Sequence, residues 1–250
     1  MKVFFDKKTL ETSFDKGSKN YNEQALIQNL AAKELCKIAA PFLSDNLQVL
    51  DLGSGTGFIS QNLLGKNLKI FEVDLALKML QKNPQKTFKI QADFENLPFK
   101  KSSFDLVISS FSLQWLNDFE KSFCQFFDLL KSNGKFIFCL PVEPSLDELK
   151  AANIFQFNQL PKVFELKKAL EKCGFKQIFF NEKIFKQNFS NGVLAIKSLK
   201  KIGANQIGSN RQTINKTKLK NFNDFCLKNF CGKNKNLAIS WRAAFFTSIK

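Results

Sequence analysis

Across residues 47–140 five short apolar runs, "LQVLDL", "LKIFEVD", "TFKIQAD", "FDLVISS" and "GKFIFCL", recur between helical stretches or polar loops. Few architectures tolerate that rhythm. Runs of this length with few polar residues fit strands covered on both faces, and the helical patterns between them supply the crossovers that parallel strands require. The spacing therefore predicts an α/β chain: a doubly wound, mostly parallel sheet with helices on both faces.

The flanks extend this reading. "YNEQALIQNLAAKELCKIAAPF" carries apolar residues at helical spacing and stops at Pro41, so it is expected to be one amphipathic helix leading into the first strand. Beyond Pro141, helices are expected around "SLDELKAANIF" and over residues 161–173, where Gly174 ends the second. "FKQIFFNEKIF" and the closing "LAISWRAAFFTSI" read as strands, making seven in all. Between them, residues 191–230 are polar, basic and helical in pattern, which fits either a lid or substrate-side insertion before the last strand or a merely decorative surface insertion. The chain reads as one domain, 1–250, with a helical cap (1–46), a cofactor-binding core (47–140) and a substrate-side half (141–250) that carries the lid at about 190–232.

Composition narrows the chemistry. The chain contains no histidine, which excludes histidine-based nucleophile systems, H-E-x-x-H metal sites and histidine general bases. Its six cysteines form no C-x-x-C pair and sit mostly in apolar segments, so all are expected to be reduced core residues of a cytoplasmic protein that uses no metal. No apolar run approaches the ~18 residues of a membrane span, and the N-terminus lacks the pattern of a secretory signal. A formal net charge of +16 favours an acidic partner, although lysine is over-used along the whole chain. The basic residues are scattered with no aromatic-basic stacking platform, which argues against nucleic acid.

The chemistry-bearing stretch is "VLDLGSGTGFIS", residues 49–60. In an open α/β sheet the ligand lies beyond the carboxyl ends of the strands, and glycines in the first βα turn let it lie against bare backbone. The spacing here, Gly53, Gly55 and Gly57, is G-x-G-x-G. It lacks the pyrophosphate-binding G-x-G-x-x-G, and no P-loop lysine follows. An acid, Asp51, precedes the turn; it would repel phosphate and suit an ammonium or sulfonium. The second run also ends in an acid, Asp74, about twenty residues on, where a carboxylate takes both ribose hydroxyls. The third ends in Asp93. A glycine loop ringed by such acids fits an adenosyl ligand with an amino-acid tail, S-adenosylmethionine.

With those residues in view, the chain resembles the class I, Rossmann-like S-adenosylmethionine-dependent methyltransferases. Within them it is most similar to the malonyl-acyl-carrier-protein O-methyltransferases of biotin synthesis. "FDLVISSFSLQWLNDFEKSF" matches that family's aspartate-led strand and Gln-Trp pair, and "AIKSLKKIGAN" its Ser-Leu-Lys-x-Ile-Gly-Ala. "SFDKGSKNYNEQALIQ" resembles its opening and "QADFENLPF" its third-strand loop. Ser110 and Ser54 depart from it, standing where the family often has Asn and Cys. The resemblance implies that Gly53, Ser54, Gly55 and Gly57 pass the methionine tail, with Asp51 near its ammonium. Asp74 would hold the ribose, Leu75 and Met79 flank the adenine, Asp93 and the Phe94 N–H meet its edge, Ser109 contribute at the fourth strand, and Tyr21 close over the cofactor. It implies a malonyl thioester as acceptor, on acyl carrier protein or coenzyme A, whose ionised carboxylate needs no general base. Gln114, Trp115, Lys200 and Arg211 are the candidates to hold that carboxylate. The methyl ester would let apolar elongation enzymes accept the chain for pimeloyl assembly. A basic face of Lys197, Lys200, Lys201, Arg211, Lys216, Lys218 and Lys220 would steer the acidic carrier. The residues alone leave open a methyltransferase of another small acid, a quinone or RNA, and a non-catalytic S-adenosylmethionine-binding module.

Overall fold

The computed structural model describes residues 4–63, 66–153, 157–201, 216–231 and 236–250, the side chain of Lys200 excepted. Seven strands form one sheet: β1 (Gln48–Leu52), β2 (Lys69–Asp74), β3 (Phe88–Gln91), β4 (Phe104–Ser110), β5 (Leu130–Pro141), β6 (Lys176–Phe189) and β7 (Leu237–Ile249), in the order β3-β2-β1-β4-β5-β7-β6. The first five pair in parallel, and β7 runs antiparallel to both β5 and β6. The doubly wound, mostly parallel sheet read from the sequence is the one observed.

Strand side chains alternate between two cores. Leu106 and Ile108 belong to one and Val107 to the other; Ile137 and Cys139 to one, Phe136, Phe138 and Leu140 to the other. Both faces must therefore be covered, which is why these strands read as apolar runs instead of alternating ones. One face carries α3 (Leu26–Ala39) and α4 (Phe58–Asn62); the other carries α6 (Phe119–Leu129) and α8 (Val163–Lys172). Ala31, Ala32 and Ala39 are fully buried, which lets α3 lie close to the sheet. The opposite face is phenylalanine-rich, with Phe138 stacked on Phe136 at 4.5 Å and on Phe246 at 4.9 Å.

Several sequence expectations change in detail. The single N-terminal helix is broken: α2 (Tyr21–Gln24) ends at Ala25, whose backbone leaves the helical region, and α3 restarts after it. Ahead of both, "KKTLETSFDKG" forms α1 (Lys7–Gly17), capped by the Asp6 carboxylate, which accepts from the Thr9 N–H. The helix expected around residues 145–155 is only α7 (Asp147–Lys150). α5 (Leu77–Lys82) follows β2 as read. In the expected lid, α9 (Gly192–Lys201) and α10 (Lys216–Phe230) are helical, and residues 202–215 lie outside the described residues. The expectation of six reduced cysteines is corrected: Cys124 on α6 and Cys173 at the end of α8 form a disulfide with Cα atoms 4.8 Å apart. The two helices pack side by side and bring together thiols 49 residues apart, a proximity that spacing alone hides. Cys36, Cys139 and Cys226 are free and buried, as expected. No helix among the described residues is long and apolar enough to cross a membrane.

Candidate functional site

The strand order reverses between β1 and β4, so their carboxyl ends part and leave a crevice there. The turn after β1 fills its floor. Gly53, Gly55 and Gly57 all adopt positive φ (66°, 58° and 84°), in different surroundings. A Cβ on Gly53 would lie 2.4 Å from the Ser112 Cβ, because the loop after β4 crosses there and the Ser112 hydroxyl donates to the Gly53 carbonyl at 2.8 Å. A Cβ on Gly57 would strike the Asn83 carboxamide at 2.3 Å, so this glycine serves packing between α4 and the end of α5. A Cβ on Gly55 would meet nothing within 4 Å. Of the three, only Gly55 faces open space.

Asp74 closes the second side. Its carboxylate accepts from the Gly55 N–H and the Ala76 N–H, both at 2.8 Å. Burial pushes its pKa up to about 6 against the lowering effect of those two donors. Asp51 lies beneath, fully buried and beside Glu72 in the sheet register. Neither of its oxygens has a hydrogen-bond partner among the described residues. Burial first, then the charges of Glu72 and Asp74, raise its pKa well above the carboxylate range. One Glu72 oxygen accepts from the Asn83 amide and the Thr87 hydroxyl, whereas Asp51 has neither oxygen partnered among the described residues.

A cavity of about 550 Å³, its open mouth included, rises above this floor; Gly53, Gly55, Asp74, Leu75, Met79, Asp93 and Phe94 line it together with Tyr21 and Trp115. Nine of the sequence candidates thus converge. Four others stand apart from the lining: Asp51 and Ser54 lie behind the loop, Gly57 faces Asn83, and the Ser109 hydroxyl donates to the Leu52 carbonyl at 2.7 Å, stitching β4 to β1. Ser109 is not among the residues that line the cavity, and Ser112 is the serine that does. Lys7, Leu10 and Phe14 of α1 also line it, and of these only Phe14 falls in a stretch that resembles the family. Asp93 is paired with Lys7 at 3.4 Å, and Lys7 also contacts Glu95.

A second cavity adjoins the first and shares Phe14, Tyr21, Phe111 and Trp115 with it. Trp115 meets Phe5 and Phe14 edge-on, at 5.3 and 5.8 Å, and Tyr21 stacks on Phe58 at 6.0 Å. Burial first, then the charge of Asp74, raises the Tyr21 pKa, so its hydroxyl keeps its proton. Gln114 lines this second cavity. Its amide nitrogen donates to the Phe111 carbonyl at 2.7 Å, leaving Oε1 buried and without a partner among the described residues. The cavity runs on into an open groove that shares Phe5, Gln114, Gln159 and Leu160 with it. Arg211 and the Lys200 side chain lie outside the described residues. No group of acids and cysteines among the described residues is arranged to hold a metal ion.

Comparisons with known proteins agree with this geometry. Residues 50–138 match the family model described as a methyltransferase domain. The malonyl-[acyl-carrier protein] O-methyltransferase of Buchnera aphidicola subsp. Baizongia pistaciae is 30% identical over 84% of this chain and 86% of its own. The second such enzyme of Coxiella burnetii is 30% identical over 80% of this chain and 82% of its own. The chain belongs to the malonyl-[acyl-carrier protein] O-methyltransferase family. Its fold is also that of a putative methyltransferase from Bacillus halodurans (TM-score 0.63, 16% identity, 88% of this chain and 98% of that one). A phosphoethanolamine N-methyltransferase 2 of Haemonchus contortus, solved with S-adenosyl-L-methionine, matches as well (TM-score 0.60, 18% identity, 94% of this chain and 57% of that one). This protein is a class I methyltransferase that uses S-adenosylmethionine. Three features of the first cavity fit that cofactor: the open space over Gly55, the carboxylate of Asp74 on the wall, and the uncompensated acid beneath a loop that a cationic tail would cross.

Proposed function

We propose that the enzyme methylates the free carboxylate of a malonyl group carried as a thioester on acyl carrier protein, giving the methyl ester that opens pimeloyl assembly in biotin synthesis. Bound in the first cavity, S-adenosylmethionine supplies the methyl group. Gly53 and Gly55 pass its methionine tail over the buried carboxyl of Asp51, whose ionised form the tail's ammonium would favour. Asp74 takes the ribose hydroxyls, exchanging its two backbone donors for them or sharing them. Leu75 and Met79 flank the adenine, Asp93 and the Phe94 N–H meet its edge, and Tyr21 closes over it from α2.

The observation that carries the reading is the second cavity. It meets the first at four aromatic residues, so an acceptor seated there abuts the cofactor and is screened from water. A chain without histidine has few general bases to offer, and an ionised carboxylate needs none. Catalysis is then positioning: Trp115 and Phe111 set the distance between the cavities. The groove past Gln159 and Leu160 supports an acceptor delivered on a long arm. Exposed Lys197, Lys201, Lys216, Lys218 and Lys220 give the expected lid a basic surface suited to an acidic carrier.

The test is methyl transfer from labelled S-adenosylmethionine to malonyl-carrier protein, malonyl-coenzyme A and acetyl-carrier protein. Labelling of the malonyl-carrier protein, with the acetyl form blank, is expected. Label on coenzyme A alone would move the acceptor to the free thioester, and no label on either malonyl form would overturn the reading.

A further inference from the structure

The second cavity is walled almost wholly by apolar and amide side chains, yet the proposed acceptor brings an anion into it. Burial without a counter-charge would push that carboxylate toward its neutral form and cost it its nucleophilic oxygen. Among the described residues one charged side chain lines this cavity: Lys150, the last residue of α7. We propose that Lys150 seats the acceptor's carboxylate, an inference that rests on the function proposed above.

Lys150 is half-buried, and its ammonium has no hydrogen-bond or ion-pair partner among the described residues. Among the described residues the other half-buried lysines are engaged: Lys7 by Asp93 and Glu95, Lys131 by Asp105, Lys250 by the Asp128 and Leu130 carbonyls, and Lys135 by the face of the Phe42 ring. The two acids on its own helix do not claim it. Asp147 is exposed, and Glu148 accepts from the Ser240 N–H at 3.2 Å. That bond, with Leu146 N–H donating to the Ser240 carbonyl at 2.9 Å and Leu149 fully buried, fixes the base of Lys150 against β7. The helix is held while its terminal ammonium is left unspent.

The chemistry of lysine suits the task. A point charge on a flexible stem can hold one carboxylate oxygen and leave the other free, where a guanidinium fork would engage both. Gln114 is less suited than its position implies, since its donor is committed to Phe111 and the atom it leaves free is an acceptor. That acceptor matches an amide N–H of a pantetheine arm better than a carboxylate.

Trp115 and Trp241 both line the cavity and are the chain's two tryptophans, so indole fluorescence reports its occupancy. The wild-type protein, saturated with S-adenosylhomocysteine, is titrated with malonyl-pantetheine and with acetyl-pantetheine. Wild type is expected to bind the malonyl form at least tenfold more tightly. Lys150→Met should abolish the preference and Lys150→Arg retain part of it, with S-adenosylhomocysteine affinity and melting temperature unchanged in both. A Lys150→Met protein that still prefers the malonyl form overturns the assignment, as does a wild type with no preference. The function stands or falls separately: a Lys150-dependent preference without methyl transfer keeps the seat and refutes the acceptor. Transfer with an unaltered KM in Lys150→Met does the reverse.

Discussion

The two cavities of this enzyme are built by opposite means. The floor of the first is made of backbone and strand ends: positive-φ glycines, the N–H groups of Gly55 and Ala76, and the acids at the end of β2 and just past β3. The second is made of side chains gathered from distant places, among them Phe5, Gln28, Trp115, Lys150, Leu160 and Trp241. A backbone-built site follows from a short contiguous stretch and changes little when surface residues change. A side-chain site is assembled by the whole fold and is free to vary its acceptor. Binding of the cofactor is thus a local property of the chain, and choice of acceptor a distributed one.

The largest expected effect tests the packing side of the first region. Gly57→Ala combines a left-handed backbone with a Cβ driven into Asn83, which is itself tied to Glu72, and should cost ~2–4 kcal/mol of stability. A denaturant midpoint equal to that of wild type would remove Gly57 from the packing account. Asp74→Asn keeps the shape of the wall while removing its charge. Loss of charge-assisted hydrogen bonds, ~1.5–3 kcal/mol, predicts roughly 10- to 100-fold weaker S-adenosylhomocysteine binding by calorimetry, with malonyl-pantetheine fluorescence responses retained.

The same carboxylate gives a pH signature confined to the first cavity. Because burial raises Asp74 to about 6, its ionised form is lost as pH falls through that value. Cofactor affinity should therefore drop below about pH 6, approaching tenfold per unit, and Asp74→Asn should flatten the profile. Stability responds with the opposite sign: a carboxyl raised in the folded state favours folding at low pH, and that contribution is lost as pH rises from about 4 to about 6. The smallest effect concerns the outer surface. Raising ionic strength from low to physiological should lower kcat/KM for malonyl-carrier protein several-fold and leave S-adenosylhomocysteine affinity unchanged. Indifference to salt would exclude steering by the lysines of α9 and α10.

The contrast also explains what the sequence disclosed. β1, β2, β4 and β5 were legible because both their faces are covered, and the glycine loop because its spacing is local. α1 was not: of "KKTLETSFDKG" only Leu10 is buried, so no apolar stripe announced a helix that nonetheless walls the cofactor. Ser109 and Ser112 are alike as letters, and only the pleat and the crossing of the loop over Gly53 tell them apart. The Cys124–Cys173 disulfide depends on how α6 and α8 pack. Lys150 was hidden among many lysines; what distinguishes it is a cavity whose walls come from both ends of the chain.

The most direct test of the central claim, that exposed backbone at the turn after β1 receives the cofactor, is calorimetric titration of S-adenosylhomocysteine into Gly55→Val. A Cβ at Gly55 meets no protein atom within 4 Å, so beyond the ~1–2 kcal/mol cost of its backbone conformation the substitution should leave the protein folded. The account predicts a folded protein whose affinity falls at least tenfold, because the added side chain occupies the cofactor's place. A folded Gly55→Val protein that binds like wild type would contradict it.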